Sequence, residues 1–210
     1  MINYIDAIAA PNKNNGHIKL HGPEGFAGMR KAGQLTARCL DELVPMIEPG
    51  LTTQAIDRFV FEFGMDHGAV PATLNYRGYT NSCCTSLNHV VCHGIPSIQR
   101  YAEAERCSVV RDFCGHGLGK LFHDVPNILH YGRAHEGVEL REGMIFTIEP
   151  MINLGKPHVK VLADGWTAVT RDRSLTAQYE HSIGVTADGC EIFTLSPAGL
   201  FTPGLGTSER

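Results

Sequence analysis

Beyond Cys107 the sequence breaks into short β-type runs: Met144–Ile148, His158–Leu162, Thr167–Thr170, Ala177–Val185 and Glu191–Leu195. Runs this rich in β-branched and aromatic residues need neighbouring strands, so the back half must build sheet. Asp164-Gly165, between His158-Val-Lys-Val-Leu and Trp166-Thr-Ala-Val-Thr, predicts a two-residue hairpin. The front half supplies helices. One starts near Pro23-Glu24, where proline suits the first helical position, and runs through Met29, Leu35, Leu40 and Leu43 toward Pro49-Gly50, unless Pro45 ends it a turn earlier. A second follows Thr52 or Thr53, sets Ile56, Phe59, Val60 and Phe63 at helical spacing, and stops at Gly68. Between the halves, Ser82–Leu87 and Val90–Cys92 read as short strands around Asn88-His89. Tyr101-Ala-Glu-Ala-Glu-Arg106 then reads as the last turns of a helix with almost no body before it, with Ser97 as its N-cap.

A chain of 210 residues, 43% hydrophobic, buries one core, which predicts a single domain over residues 22–196. Residues 1–21, with the polar cluster Asn12-Lys13-Asn14-Asn15-Gly16, read as a flexible arm, and the Gly/Pro/Ser-rich residues 197–210 as a disordered tail. A net charge of −4 gives no basic footprint and excludes DNA or RNA as the primary partner. The opening residues have no signal-peptide character and no run reaches the length of a membrane span, so the protein is expected in the cytosol. The seven cysteines form no C-x-x-C pair and read as reduced thiols. His17, His21, His67, His130, His135 and His158 stand alone in polar settings and read as surface residues.

Three other residues sit where solvation alone cannot account for them. Glu149 lies in the apolar run Met144-Ile-Phe-Thr-Ile-Glu-Pro-Met151, where an unpaired carboxylate needs either a metal or an arginine such as Arg171 or Arg173. Glu180, in Ser174-Leu-Thr-Ala-Gln-Tyr-Glu-His-Ser-Ile183, raises the same question on another strand, and two such carboxylates favour a metal. His116 stands between Gly115 and Gly117, which leave the imidazole open to a ligand. Gly117-Leu-Gly119-Lys120 lacks the spacing of a phosphate loop. His93 and His123 are candidates for hydrogen-bonding a substrate or an oxyanion, and Cys92 beside His93 permits a thiol nucleophile, although neighbours on a strand point to opposite faces.

Taken together these runs resemble the type I methionine aminopeptidases. The matching stretches are Met29-Arg-Lys-Ala-Gly33, Cys84-Thr-Ser-Leu-Asn-His-Val-Val-Cys-His-Gly-Ile-Pro96, Ser108-Val-Val-Arg-Asp-Phe-Cys-Gly-His-Gly-Leu-Gly119, Phe146-Thr-Ile-Glu-Pro-Met151, Asp164-Gly-Trp166 and Asp172-Arg-Ser-Leu-Thr-Ala-Gln-Tyr-Glu-His181. They stand in the family's order across most of residues 22–195. The resemblance implies an α/β pita-bread fold and removal of the initiator methionine from nascent polypeptides, in association with the ribosome. It implies a pair of divalent metals, Co, Mn, Fe or Zn, with His116, Glu149 and Glu180 as ligands. It further implies that His93, His123 and Glu149 are catalytic, and that Tyr76, Tyr79, Cys84, Phe122 and Trp166 join the two histidines in shaping the methionine pocket.

One departure qualifies this picture. A segment on the order of seventy residues, which in the family carries two aspartate ligands, has no counterpart after His93-Gly-Ile-Pro96. The expectation is therefore an internally shortened aminopeptidase that holds at most one metal and whose activity is impaired or lost. Two alternatives stand beside it: a non-catalytic homologue that binds N-terminal peptides, and a metal-free hydrolase using His93, His123 and Glu149 on the same fold.

Overall fold

Proline at the first helical position and Glu24 in the first turn start α1, Pro23–Leu43, in a computed structural model that describes residues 3–48, 51–86, 88–92, 107–131 and 137–200. Phe26 of α1 packs on Ile145 and Phe193, and a methyl on Gly33 would meet the Phe193 carbonyl oxygen at 2.4 Å. Glycine there lets the helix lie directly on the chain beneath it. α1 stops at Leu43 and Pro45 falls in a 3-10 turn, Val44–Met46, so the helix takes the earlier of its two predicted ends. The second helix, α2 (Thr53–Asp66), begins from Thr52, whose hydroxyl accepts the Ala55 N–H at 3.3 Å, and Gly68 closes it at φ 66°.

Residues read as a flexible arm instead form β1 (Tyr4–Asp6) and β2 (Ile18–Leu20), a parallel pair tied to the body by the His21 N–H, which donates to the Gly143 carbonyl at 2.7 Å. Ile18 is buried against Met144, Phe146 and Ile183, and that burial orders the segment. Next come β3 (Val90–Cys92), β4 (Ser108–Val109), β5 (Gly115–Gly117), β6 (Asp124–Ile128), β7 (Ile145–Ile148) and β8 (Met151–Asn153). β9 (Val159–Val161), β10 (Ala168–Thr170), β11 (Thr176–Gln178), β12 (His181–Thr186) and β13 (Gly189–Ile192) are the remaining strands among the described residues. A five-stranded sheet runs β13-β12-β7-β5-β6, and two three-stranded sheets run β3-β10-β9 and β11-β8-β4.

Three sequence readings need correction. Ser82–Ser86 forms no strand, because Asp57 of α2 accepts the Ser82 N–H at 2.7 Å and the Cys83 N–H at 3.2 Å, taking donors a ladder would need. The hairpin at Asp164-Gly165 exists but its connection is longer than two residues: Leu162 N–H pairs with the Thr167 carbonyl at 2.8 Å, and Asp164 Oδ1 accepts the Trp166 and Thr167 N–H groups inside the loop. The run Ala177–Val185 is two strands, β11 and β12. Leu87, Ser97 and the short helix end at 101–106 lie outside the described residues.

Among the described residues no cysteine is joined in a disulfide. The start of the proposed tail is anchored, since Ser196 donates its hydroxyl to Asp41 of α1 at 2.7 Å and Ala198 its N–H at 3.0 Å. Asp172 similarly accepts the Lys156 N–H at 2.8 Å and the Ser174 N–H at 3.1 Å, and these bonds hold its carboxyl down at about 2. A folded-state value below the unfolded one means that Asp172 contributes stability fully above the ordinary carboxylate range and loses it as pH falls toward 2. Asp172→Asn is therefore expected to lower the urea midpoint at pH 7, and the gap to the parent protein should close in unfolding curves taken at descending pH.

Candidate metal centre

The ladder that carries the acidic residues is interrupted on both sides at the same level. Ile148 of β7 pairs with His181 of β12, and the next pair is Met151 of β8 with Gln178 of β11. Glu149-Pro150 and Tyr179-Glu180 thus face each other in matched gaps, and Pro150 has no N–H to continue a ladder. β5 runs beside β7 and brings His116 to the same place. A methyl on Gly115 would lie 2.2 Å from the Thr147 carbonyl oxygen, and one on Gly117 2.1 Å from that of Val125. The glycines flanking His116 therefore serve close strand packing, a stronger demand than the open access read from the sequence.

His116, Glu149 and Glu180 offer ligand atoms that all lie within 4.8 Å of one another. The His116 ring bonds the Gly117 carbonyl through Nδ1 at 3.0 Å; a carbonyl only accepts, so Nδ1 carries the proton and the Nε2 lone pair faces Glu149 Oε1 at 3.5 Å. This fixed tautomer is how metal-binding histidines are commonly oriented. Burial, then repulsion from Glu149, pushes the Glu180 carboxyl up to about 7, although the side chain still meets solvent. No arginine pairs with Glu149 among the described residues, and Arg171 instead donates to the Val159 carbonyl, so the arginine alternative is not realised. Two carboxylates and an imidazole around one point fit a single cation bound at ~2 Å from each ligand atom. Among the described residues no other group of three such side chains could hold a second ion.

Three residues that the sequence reading missed support Glu149. Thr147 donates its hydroxyl to Glu149 Oε1 at 2.7 Å while accepting the His116 N–H at 3.0 Å. Gln178 donates to Glu149 Oε2 at 3.2 Å, and the Glu149 N–H donates to His130 Nε2 at 3.0 Å. Thr147 and Gln178 each stand two residues before a candidate glutamate, the same-face spacing of a strand, so their signal was present. His130 carried none, being distant in sequence. It is half-buried, with burial lowering its pKa, rather than the surface residue it resembles in the sequence. His21 is likewise partly enclosed, and burial lowers its pKa too.

The three acidic and imidazole groups sit on the wall of a cavity of about 1430 Å³ that Tyr76, Tyr79, Cys84, Phe122, His123 and Trp166 also line. Tyr79 is buried, meets the Trp166 ring edge-on at 5.3 Å and donates its hydroxyl to the Cys83 carbonyl at 2.9 Å. Tyr76 and His123 share a hydrogen bond of 2.9 Å, and the His123 ring lies 4.0 Å from that of His116. His93 lies outside the described residues. Cys92 is buried and its thiol is pushed up to about 12 by burial, which leaves negligible thiolate and removes it as a nucleophile. A histidine and two carboxylates opening on an apolar, aromatic-lined cavity are an arrangement of the kind metal-dependent hydrolases use.

Comparison with known proteins carries the same class to a family. The sequence profile of metallopeptidase family M24 matches residues 27–103 and 97–187. The methionine aminopeptidase of Rickettsia prowazekii is 40% identical over 256 residues, with 89% of this chain and 98% of that protein covered. That of Escherichia coli K12 is 36% identical over 248 residues, covering 85% and 94%. Among solved structures, the Rickettsia prowazekii methionine aminopeptidase superposes with a TM-score of 0.80 at 38% identity, covering 85% of this chain and 100% of that one. The Thermotoga maritima methionine aminopeptidase gives 0.79 at 29%, covering 84% and 99%. The chain belongs to metallopeptidase family M24, and within it to the methionine aminopeptidases, whose pita-bread α/β fold it has. Family membership brings with it the use of a divalent metal.

The alignments also locate a gap. A 256-position alignment that uses 89% of a 210-residue chain leaves about seventy positions of the Rickettsia relative with no counterpart here. The two profile matches meet at 97–103, which puts the interruption between β3 and β4.

Proposed function

We propose that this chain recognises N-terminal methionine and removes it with one divalent ion, Co, Mn, Fe or Zn, held by His116, Glu149 and Glu180, at a rate far below that of an intact two-metal enzyme. The observation that carries the reading is the convergence of these three side chains on the wall of an apolar cavity. A bound ion would supply Lewis acidity and an activated water. Glu149, fixed by Thr147 and Gln178, is the proton acceptor in this reading. His123, oriented by Tyr76, and His93 hydrogen-bond the scissile carbonyl. Tyr79, Phe122 and Trp166, with Cys84, pack around the thioether, for which polarisable apolar walls are well suited. The same reading places the protein in the cytoplasm, acting on nascent chains at the ribosome. Among the described residues no helix is long and apolar enough to cross a membrane.

The low rate follows from the ligand count: among the described residues one cluster of three serves one ion, and the resemblance to the family places its two aspartate ligands in the stretch that has no counterpart here. Release of methionine from Met-Ala-Ser by the folded protein is expected to require added metal and to stay below about 1 s⁻¹, the lower end of ordinary enzyme turnover. Turnover that survives a chelator would instead indicate a metal-free hydrolase using His93, His123 and Glu149. Peptide binding by calorimetry with no methionine release would establish the second reading, a binding protein, which is favoured by a lined pocket beside a shortened ligand set.

A further inference from the structure

Glu149 stands in the ladder gap between Ile148, paired with His181, and Met151, paired with Gln178, so strand pairing does not hold its main chain. Two side chains do. The Glu149 N–H donates to His130 Nε2 at 3.0 Å, and the Glu149 carbonyl accepts from Gln178 Nε2 at 3.3 Å. A main-chain group left without a partner inside a protein is costly, and these two bonds supply what the ladder does not.

His130 lies just beyond β6 in the run Leu129-His130-Tyr131, and that run faces the wrong way for burial alone. Leu129 is 55% exposed and Tyr131 37% exposed, while the imidazole between them is half-buried. Transfer from water would favour the leucine inside and the histidine outside. The ring's own hydrogen bonding does not offset this. Nε2 accepts from an N–H and so carries a lone pair, which puts the ring proton on Nδ1, and Nδ1 is buried with no partner among the described residues. One nitrogen is left unsatisfied in the arrangement that brings the other to the Glu149 main chain.

We propose that His130 is a positioning residue of the metal centre, which replaces the missing ladder partner of Glu149 and fixes the main chain from which its carboxylate reaches the ion. Thr147 and Gln178 hold the carboxylate oxygens at 2.7 and 3.2 Å, and His130 holds the other end of the residue. Released at its N–H, the Glu149 peptide is free to turn, and Oε1 loses its place 3.5 Å from His116 Nε2. The inference rests on the reading of His116, Glu149 and Glu180 as ligands, and goes beyond it in assigning the setting of Glu149 to a side chain that is itself no ligand.

Calorimetric titration of Mn²⁺ into the full-length protein and its variants tests the inference. His130→Ala and His130→Phe, the second of which keeps a ring but removes the acceptor, should each weaken binding about 10- to 100-fold, the usual effect of losing an outer partner of a metal ligand. His130→Gln places an amide oxygen where Nε2 stood and should bind within about threefold of the parent. Binding like the parent's in the Ala and Phe variants, or equal losses in the Gln and Phe variants, overturns the inference. His116→Ala separates the two claims. If it removes binding while His130→Ala and His130→Phe do not, the ligands stand and the positioning role falls; if it changes nothing, the ligand reading fails and takes the inference with it. Nitrogen NMR of the parent protein supplies a check that needs no variant to fold: the His130 ring proton is expected on Nδ1, and a proton on Nε2 overturns the inference.

Discussion

His116→Ala is expected to lower the affinity for a divalent metal by more than about 100-fold, the upper end of what losing a mere outer partner of a ligand costs. The reason is geometric. Nδ1 is committed to the Gly117 carbonyl, so Nε2 is the one nitrogen aimed at Glu149, and its removal leaves two carboxylates, of which Glu180 is already raised by burial and then by repulsion from Glu149. The fold should survive, because the strand register around His116 is set by its main chain and by the Thr147 hydroxyl that its N–H reaches. Calorimetric titration with Mn²⁺ on a sample shown to melt cooperatively measures the effect. Unchanged affinity would mean that the ion binds elsewhere.

Gly117→Ala should be the most damaging methyl that can be added to the centre, at about 3 kcal/mol or more. The atom it meets, 2.1 Å away, is the Val125 carbonyl oxygen of β6, which cannot turn aside as a side chain could. Either β5 moves away from β6 and carries His116 with it, or the sheet fails to form. Gly28→Ala on α1 is the matching control: nothing lies within 4 Å of its Cβ, and alanine there is expected to stabilise by ~0.5–1 kcal/mol through helix propensity. Urea unfolding of the two variants should shift in opposite directions. Similar shifts would remove the steric account of the Gly-His-Gly run.

The helices were legible because each shows its period over several turns and is bounded by Pro23, Thr52 and Gly68, residues whose backbone preferences act locally. Strands of three residues were not. Neither Tyr4–Asp6 nor Ile18–Leu20 is long enough to display alternation, and what orders them is burial against Met144 and Phe146, far along the chain. Ser82–Ser86 reads as a strand by composition, yet Asp57 takes its donors, a contact no local pattern records. Glu149 and Glu180 stood out because a carboxylate in an apolar run needs compensation. His130 did not, because its role depends on meeting one main-chain N–H across the fold.

The matched gaps at Glu149-Pro150 and Tyr179-Glu180 also divide the ladder into two blocks of protected amides, β7 with β12 and β8 with β11. Joined across the gaps by the chain itself but by no ladder pair between 148/181 and 151/178, each block can open on its own and exchange its hydrogens with water at its own rate. A cation gripped by both glutamates would act as a rivet between the blocks, and their two exchange rates would merge into one slower opening as the site fills.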